Sequence, residues 1–257
     1  MVNIVFFSPE DLSIIKNGPA ERRHFLDSEL CQLDKVYLYQ LSNYNKVVLQ
    51  RNKLLKELYL HPDYREVLDV LDMQLVQYGS ALIQRRQTFA EELGEIVHRI
   101  HSQLSGGQEE MELKYEPNVT VDAFAQMLFA NRERDMRLKT TATGPHRDDI
   151  SFVVNGVDIR KFGSQGQQRT AALSLKLSEI ELVKRLIGDT PVLLLDDVLS
   201  ELDSGRQNYL LNSIENIQTL ITCTGLDEFV NHRFSINRIY KVTDGSVTVE
   251  NKQEEDR

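Results

Sequence analysis

The chain has 257 residues, 41% of them apolar, and 30 basic against 39 acidic side chains give it a formal net charge of −9. That length supports one large core or two small ones, and the acidic balance argues against a dedicated nucleic-acid module while leaving local basic patches open. Cys31 and Cys223 show no Cys-x-x-Cys or Cys/His spacing, so they read as small hydrophobes in a reducing, cytoplasmic setting. The opening Val2–Phe7 run lacks the basic flank of a signal peptide, and nothing approaches the roughly 20 apolar residues of a membrane span.

In chain order, residues 2–7 predict a buried strand, and Ser8-Pro9-Glu10-Asp11 predicts a helix start, with a capping hydroxyl, Pro in the first turn and acids at the positive end. A doubly wound sheet rarely opens so abruptly, so earlier strands are expected upstream. From about Asp27 to Leu60, Leu33, Tyr37, Leu41, Tyr44, Val48, Leu55 and Leu58 recur at helical spacing. His61-Pro62-Asp63 interrupts, and a second run to about His101 carries Val67, Leu71, Tyr78, Leu82, Phe89, Leu93, Ile96 and Ile100. Two helices of about 30 residues would each span roughly 45–50 Å, as an antiparallel arm or a plain helical subdomain.

Gly106-Gly107 ends that pair. Residues 112–115 predict a strand, 121–137 a helix, and 150–159 a hairpin turning at Asn155-Gly156. A long helix over about 166–187, a strand at 192–195, a helix at about 204–215, a strand at 219–222 and a hairpin about Asp244-Gly245 follow. Strand, helix, strand predicts a parallel α/β core. The charged tail after Glu250 is expected to fray.

Chemistry concentrates in this last part. Val192-Leu193-Leu194-Leu195-Asp196-Asp197 describes a buried parallel strand whose C-terminal edge presents two carboxylates, where open α/β sheets place their ligands. In a phosphate-processing enzyme the first acid holds Mg2+ and the second orients or deprotonates water. The plainer alternative is a strand that ends at a solvated turn. Upstream, Gly163-Ser164-Gln165-Gly166-Gln167-Gln168-Arg169 is a small-residue loop at a helix N-terminus, whose unpaired N–H groups and dipole suit a phosphate. Downstream, Val198-Leu199-Ser200-Glu201-Leu202-Asp203 has the form of the D-loop that follows Walker B in ABC-type ATPases. Leu104-Ser105-Gly106-Gly107-Gln108 spells the ABC signature too, but three acids and a strand follow it rather than a helix, so it is read as a turn.

Three segments resemble the RecF family, an ABC/SMC-like group of ATPases. They are Ser164–Thr170 leading into Leu173-Ser174-Leu175-Lys176-Leu177, Thr143-Gly144-Pro145-His146-Arg147-Asp148-Asp149, and Phe7–Leu12 with Arg22-Arg23-His24-Phe25-Leu26-Asp27. The resemblance implies an incomplete ABC-ATPase-like α/β head with an inserted helical lobe or arm. Residues 1–26 would be the remnant of a first lobe, 27–137 the helical part, 138–251 the signature, Walker B and D-loop part, and 252–257 a tail. It implies ATP and Mg2+ as cofactors, an ATP-dependent homodimer, DNA and the RecR and RecO proteins as partners, and roles in replication, recombinational repair and the SOS response.

By position, Asp196 would hold Mg2+ and Asp197 would be the catalytic acid. Ser164, Gln165, Gly166, Gln167 and Arg169 would form the signature facing a partner's nucleotide, and Ser200 and Asp203 the D-loop. The pattern Gly-x-x-x-x-Gly-Lys-[Ser/Thr] does not occur in the 257 residues, so the chain alone is expected not to hydrolyse ATP. The family's switch histidine is replaced by hydroxyls, with Thr222 or Thr224 as stand-ins.

For DNA, Arg22, Arg23, Arg51, Lys53, Arg132 and Arg134 are candidates as phosphate-neutralising charges, set against the alternative of solvated helix faces. His146 and Arg147 fit nucleotide, DNA or the neighbouring lobe. Two readings compete with the ATPase head: an inert module binding DNA or a partner through the arm, and a metal-dependent nuclease using Asp196 and Asp197. ATP-independent DNA retention on filters would favour the module.

Overall fold

The computed structural model describes residues 3–57, 65–224 and 236–250. Strand β1 (Ile4–Phe7) leads through a 3-10 turn at Pro9–Asp11 into a short helix α1 (Leu12–Lys16). The turn closes as a capping box, in which Asp11 Oδ2 accepts from the Ser8 N–H at 2.8 Å.

The helical segment breaks earlier than its periodicity predicts. It divides into α2 (Pro19–Leu33) and α3 (Lys35–Glu57), because Asp34 leaves the helical path and its Oδ1 accepts from the N–H groups of Val36 and Tyr37. A capping Asp inside an apolar period is a helix start that spacing alone overlooks. The next helix, α4 (Arg65–Leu104), has 40 residues, about 60 Å of rod. The expected interruption at His61-Pro62-Asp63 lies outside the described residues.

Helices α3 and α4 run antiparallel, since Asp34 meets Arg85, Tyr37 meets Arg86 and Arg51 meets Asp72. Gly79 lets them close up: a Cβ there would fall 2.5 Å from Phe124 Cε1 and 2.9 Å from Tyr44 Cε2. The C-terminal half of α4 is no free arm. It packs on strand β2 (Met111–Glu116) and on the long helix α8 (Gln165–Ile187), and buries Phe89, Leu93, Ile96 and Ile100. Val67, expected on the inner face, is exposed, and Leu68 takes its place.

The helix expected over 121–137 is two, α5 (Phe124–Ala130) and α6 (Arg132–Leu138), hinged at Asn131. Strand β3 (Asp149–Val154) pairs antiparallel with β2 and turns at Asn155 (φ 47°) and Gly156 (φ 79°) into β4 (Val157–Asp158). A one-turn helix α7 (Ile159–Phe162) then delivers the chain to α8 (Gln165–Ile187). Helix α8 is the central rod, buried on nearly every side from Thr170 to Val183, and it ends on left-handed Gly188.

Strand β5 (Val192–Asp196), helix α9 (Ser204–Ser213) and strand β6 (Thr219–Thr222) complete a parallel sheet in the order β1-β5-β6. One face, Val5, Phe7, Leu193 and Leu195, is sealed. The other stays open, with Phe6 48% and Leu220 56% exposed, so the opening strand is buried on one side only and not throughout as its composition predicts. Strands β7 (Ile239–Thr243) and β8 (Ser246–Glu250) form a hairpin turning at Asp244-Gly245. The tail after Glu250 lies outside the described residues. Among the described residues, no helix is long and apolar enough to cross a membrane.

Candidate functional site

Strand β5 carries Asp196 and Asp197 to the C-terminal edge of the sheet beside β6. Thr222, the register partner of Asp196, donates its hydroxyl to Asp196 Oδ1 at 2.6 Å and accepts from the Asp197 N–H at 3.1 Å. One hydroxyl therefore fixes the rotamer of the first acid and the backbone of the second. Asp197 stands at φ 51°, in the left-handed region that Asp tolerates better than most residues. Among the described residues, nothing hydrogen-bonds its buried Oδ1. Backbone strain and an orphaned carboxylate oxygen on one residue are features that cluster at functional sites. Ser200 Oγ donates to the Asp197 carbonyl at 2.9 Å, which ties the following loop to the acid pair, and Asp203 caps α9 through the Arg206 N–H.

The signature segment opens α8. Ser164 Oγ accepts from the Gln167 N–H at 3.2 Å, and Gln167 Oε1 accepts from the Ser164 N–H at 2.9 Å, a reciprocal capping box. Ser164, Gln165, Gly166 and Arg169 are exposed. Gly163 admits no side chain, because a Cβ would lie 2.6 Å from the Ile159 carbonyl oxygen, so α7 and the loop are pressed together. Arg169 lines a small cavity with Val198 and Leu202 and so borders the segment after β5. The signature and the acid pair use different partners: Glu109 for the former, Thr222 and Ser200 for the latter. The second signature-like segment is a turn, with Gly106 (φ 64°) and Gly107 (φ 76°) reversing the chain out of α4 into β2.

Several basic candidates are corrected. Arg22 is buried and spends its guanidinium on Asp149 and on the carbonyls of Ile14 and Asn17. Arg51 is fully buried and pairs with Asp72 and Asp135, each at 2.6 Å, and Arg132 is held by Asp69 and Asp72. Burial keeps Arg22 and Arg51 from any phosphate at the surface, and the two carboxylates on Arg132 compete with one. Arg23 is half-buried and donates to the Asp148 carbonyl, whereas Lys53 and Arg134 are exposed.

His146 faces the helical lobe. Its Nδ1 lies 2.6 Å from the Tyr44 hydroxyl and its Nε2 2.9 Å from the Thr141 carbonyl, and burial pushes its pKa down to about 4. The ring is therefore a neutral bridge between Tyr44 of α3 and the Thr141 carbonyl, and Arg147 beside it is exposed.

The buried charges under the open sheet face are not foreseen from the residue pattern. A cleft of about 490 Å³ lined by Ile4, Phe6, Asp11, Glu29, Lys176 and Glu179 lies there. Lys176 Nζ meets Glu179 Oε2 at 2.5 Å, and burial together with the Glu179 charge pushes Glu29 up to about 9. Lys176 and Glu179 share α8 at i,i+3, but Asp11 and Glu29 arrive from the 3-10 turn and from α2, so no local pattern announces the group.

No family model matches the chain. It is 61% identical over 249 residues to the DNA replication and repair protein RecF of Agathobacter rectalis, across 97% of this chain and 69% of the relative. The Lachnospira eligens protein of the same description is 60% identical, across 98% and 70%. A solved structure described as the recombination mediator protein RecF–ATP in the RecFOR pathway superposes with a TM-score of 0.87 at 36% identity, over 96% of this chain and 67% of that one. A companion structure described as RecF-ATPrS gives the same TM-score.

Proposed function

Because the chain belongs to the RecF family of DNA replication and repair proteins, we propose that it supplies the signature and Walker B parts of an ATP-dependent DNA-binding head of the RecFOR pathway. The observation that carries this reading is the acid pair: two carboxylates at a parallel strand's edge, one held by Thr222 and the other strained, with a buried oxygen that no described residue hydrogen-bonds.

That donor set fits Mg2+, which takes hard oxygen ligands and keeps several waters. Asp196 would hold it and Asp197 would orient the attacking water; bound Mg2+ neutralises phosphate charge. Asp197 keeps its place through the Thr222 hydroxyl and the Ser200 contact. Ser164, Gly166 and Gln167 meet nucleotide held by a second subunit through the first-turn N–H groups of α8. Asp203 then links the two sites of a homodimer. Arg23, Lys53 and Arg134 remain as DNA contacts, with RecR and RecO as partners in the cytoplasm.

The 257 residues contain no P-loop pattern, so turnover needs a P-loop from elsewhere. The isolated chain is expected to release no phosphate from ATP above background. Turnover that disappears in Asp197→Asn would sink that claim. Added to full-length A. rectalis RecF whose own signature serine is disabled, the chain is expected to restore turnover in trans. DNA retention on filters that is equal with and without ATP would favour an inert binding module instead.

A further inference from the structure

The signature loop does not stand alone. The Gln167 Nε2–H donates to Glu109 Oε1 at 2.9 Å, and the other oxygen of that carboxylate, Oε2, lies 3.2 Å from His101 Nε2. His101 is fully buried, and its Nδ1 sits 3.0 Å from Ser174 Oγ, two turns along the signature helix. Glu109 is thus gripped from both sides, by the last turn of α4 and by the signature.

The signature-like turn at 104–108 explains how it arrives there. Gly106 and Gly107 fold the chain back, and Ser105 Oγ accepts from the Glu109 N–H at 3.2 Å, which presents the carboxylate to α8. Two further contacts fix the same end of α4: Arg99 pairs with Glu181 of α8, and Tyr209 of α9 donates to Gln103.

Resting on the trans-acting reading of the signature, we propose that Glu109 is a positioning residue that latches the Gln167 amide, and through it the signature loop, to the base of the 40-residue helix α4. The Gln167 amide has two ends. Its oxygen caps Ser164, and its NH2 must then find an acceptor on the other side, which Glu109 provides. A carboxylate accepts and never donates, so it enforces this one amide orientation. The latch makes signature geometry depend on where α4 sits relative to α8.

The test uses the trans assay described above, titrating this chain into signature-disabled full-length A. rectalis RecF and fitting half-saturation and maximal rate separately. Removing one charge-assisted hydrogen bond in Glu109→Ala is expected to raise the half-saturating concentration roughly ten-fold. Glu109→Gln still offers an oxygen to Gln167 and is expected to recover most of that loss, and Glu110→Ala, on the exposed neighbour, to match wild type. In parallel, 15N spectra of the chain are expected to show a slowly exchanging Gln167 side-chain amide that exchanges fast in Glu109→Ala. If Glu109→Ala leaves half-saturation unchanged while wild type restores turnover, the latch is overturned and the trans reading survives. If wild type itself restores nothing, the trans reading fails, and the Gln167 exchange rates decide the latch: equal rates in wild type and Glu109→Ala overturn it. Should Glu109→Ala unfold, Glu109→Gln carries both readouts, and loss equal to a disabled signature overturns the proposal.

Discussion

Two parts of this molecule use the same side chains to opposite ends. In the helical lobe, Arg86 is buried and reaches Tyr37, the Pro145 carbonyl, Asp148 and Asp27, and Arg51 is buried against Asp72 and Asp135. At the sheet edge, Asp196 is exposed and Asp197 keeps an unpartnered oxygen. Every carboxylate in the first group is answered by a protein cation, and among the described residues no cation pairs with those in the second. Charge that is buried and answered holds structure, whereas charge left unanswered at a strand's end is available to a ligand.

The largest test of that contrast is Arg86→Ala, which strands Asp27 and Asp148 and is expected to cost about 3–5 kcal/mol in chemical denaturation; a loss below about 1 kcal/mol would break the comparison. Next comes acid. The His146 pKa falls from 6.5 when unfolded to about 4 when folded, so its contribution is complete above pH 6.5 and drains away as pH drops through that window. The expected loss by pH 4 is at most about 3 kcal/mol, read as a denaturation midpoint that slopes with pH and flattens in His146→Asn. Gly79→Leu forces a side chain between Tyr44 and Phe124 and is expected to cost about 1–3 kcal/mol; a neutral result would mean that α3 and α4 separate at no cost. The smallest stability effect belongs to the edge. Asp196→Asn is expected to shift stability by no more than about 0.5 kcal/mol, yet to abolish Mn2+ broadening of the Thr222 amide signal. Broadening that persists would move the metal elsewhere.

The two parts also differed in how legible they were. The sheet edge and the start of α8 announce themselves locally, because Val192–Asp197 and Ser164–Arg169 each combine a hydrophobic period with a turn or cap that has only one good geometry, as Asn155-Gly156 does in the other sheet. The helical lobe does not. Arg22 and Arg51 look identical to surface cations in sequence, and only the arrival of Asp149, Asp72 and Asp135 from distant segments makes them core residues. Asp34 and Asn131 hide helix breaks inside continuous periods for a related reason: a cap is one side chain, and a period is an average over many. The Glu109–Gln167 contact spans 58 positions and carries no pattern at either end.

Helix α4 has a mechanical consequence. A rod of about 60 Å held at its base by Arg99, His101 and Gln103 is a lever with a short inner end. A tilt of about 3 degrees sweeps its far tip by roughly 3 Å, and the same tilt moves the base by only a fraction of an ångström. Because Asp72 near that tip pairs with Arg51 and Arg132, such a tilt carries α3 and α6 along with α4, and the small shift it leaves at the base is on the scale of a single hydrogen bond.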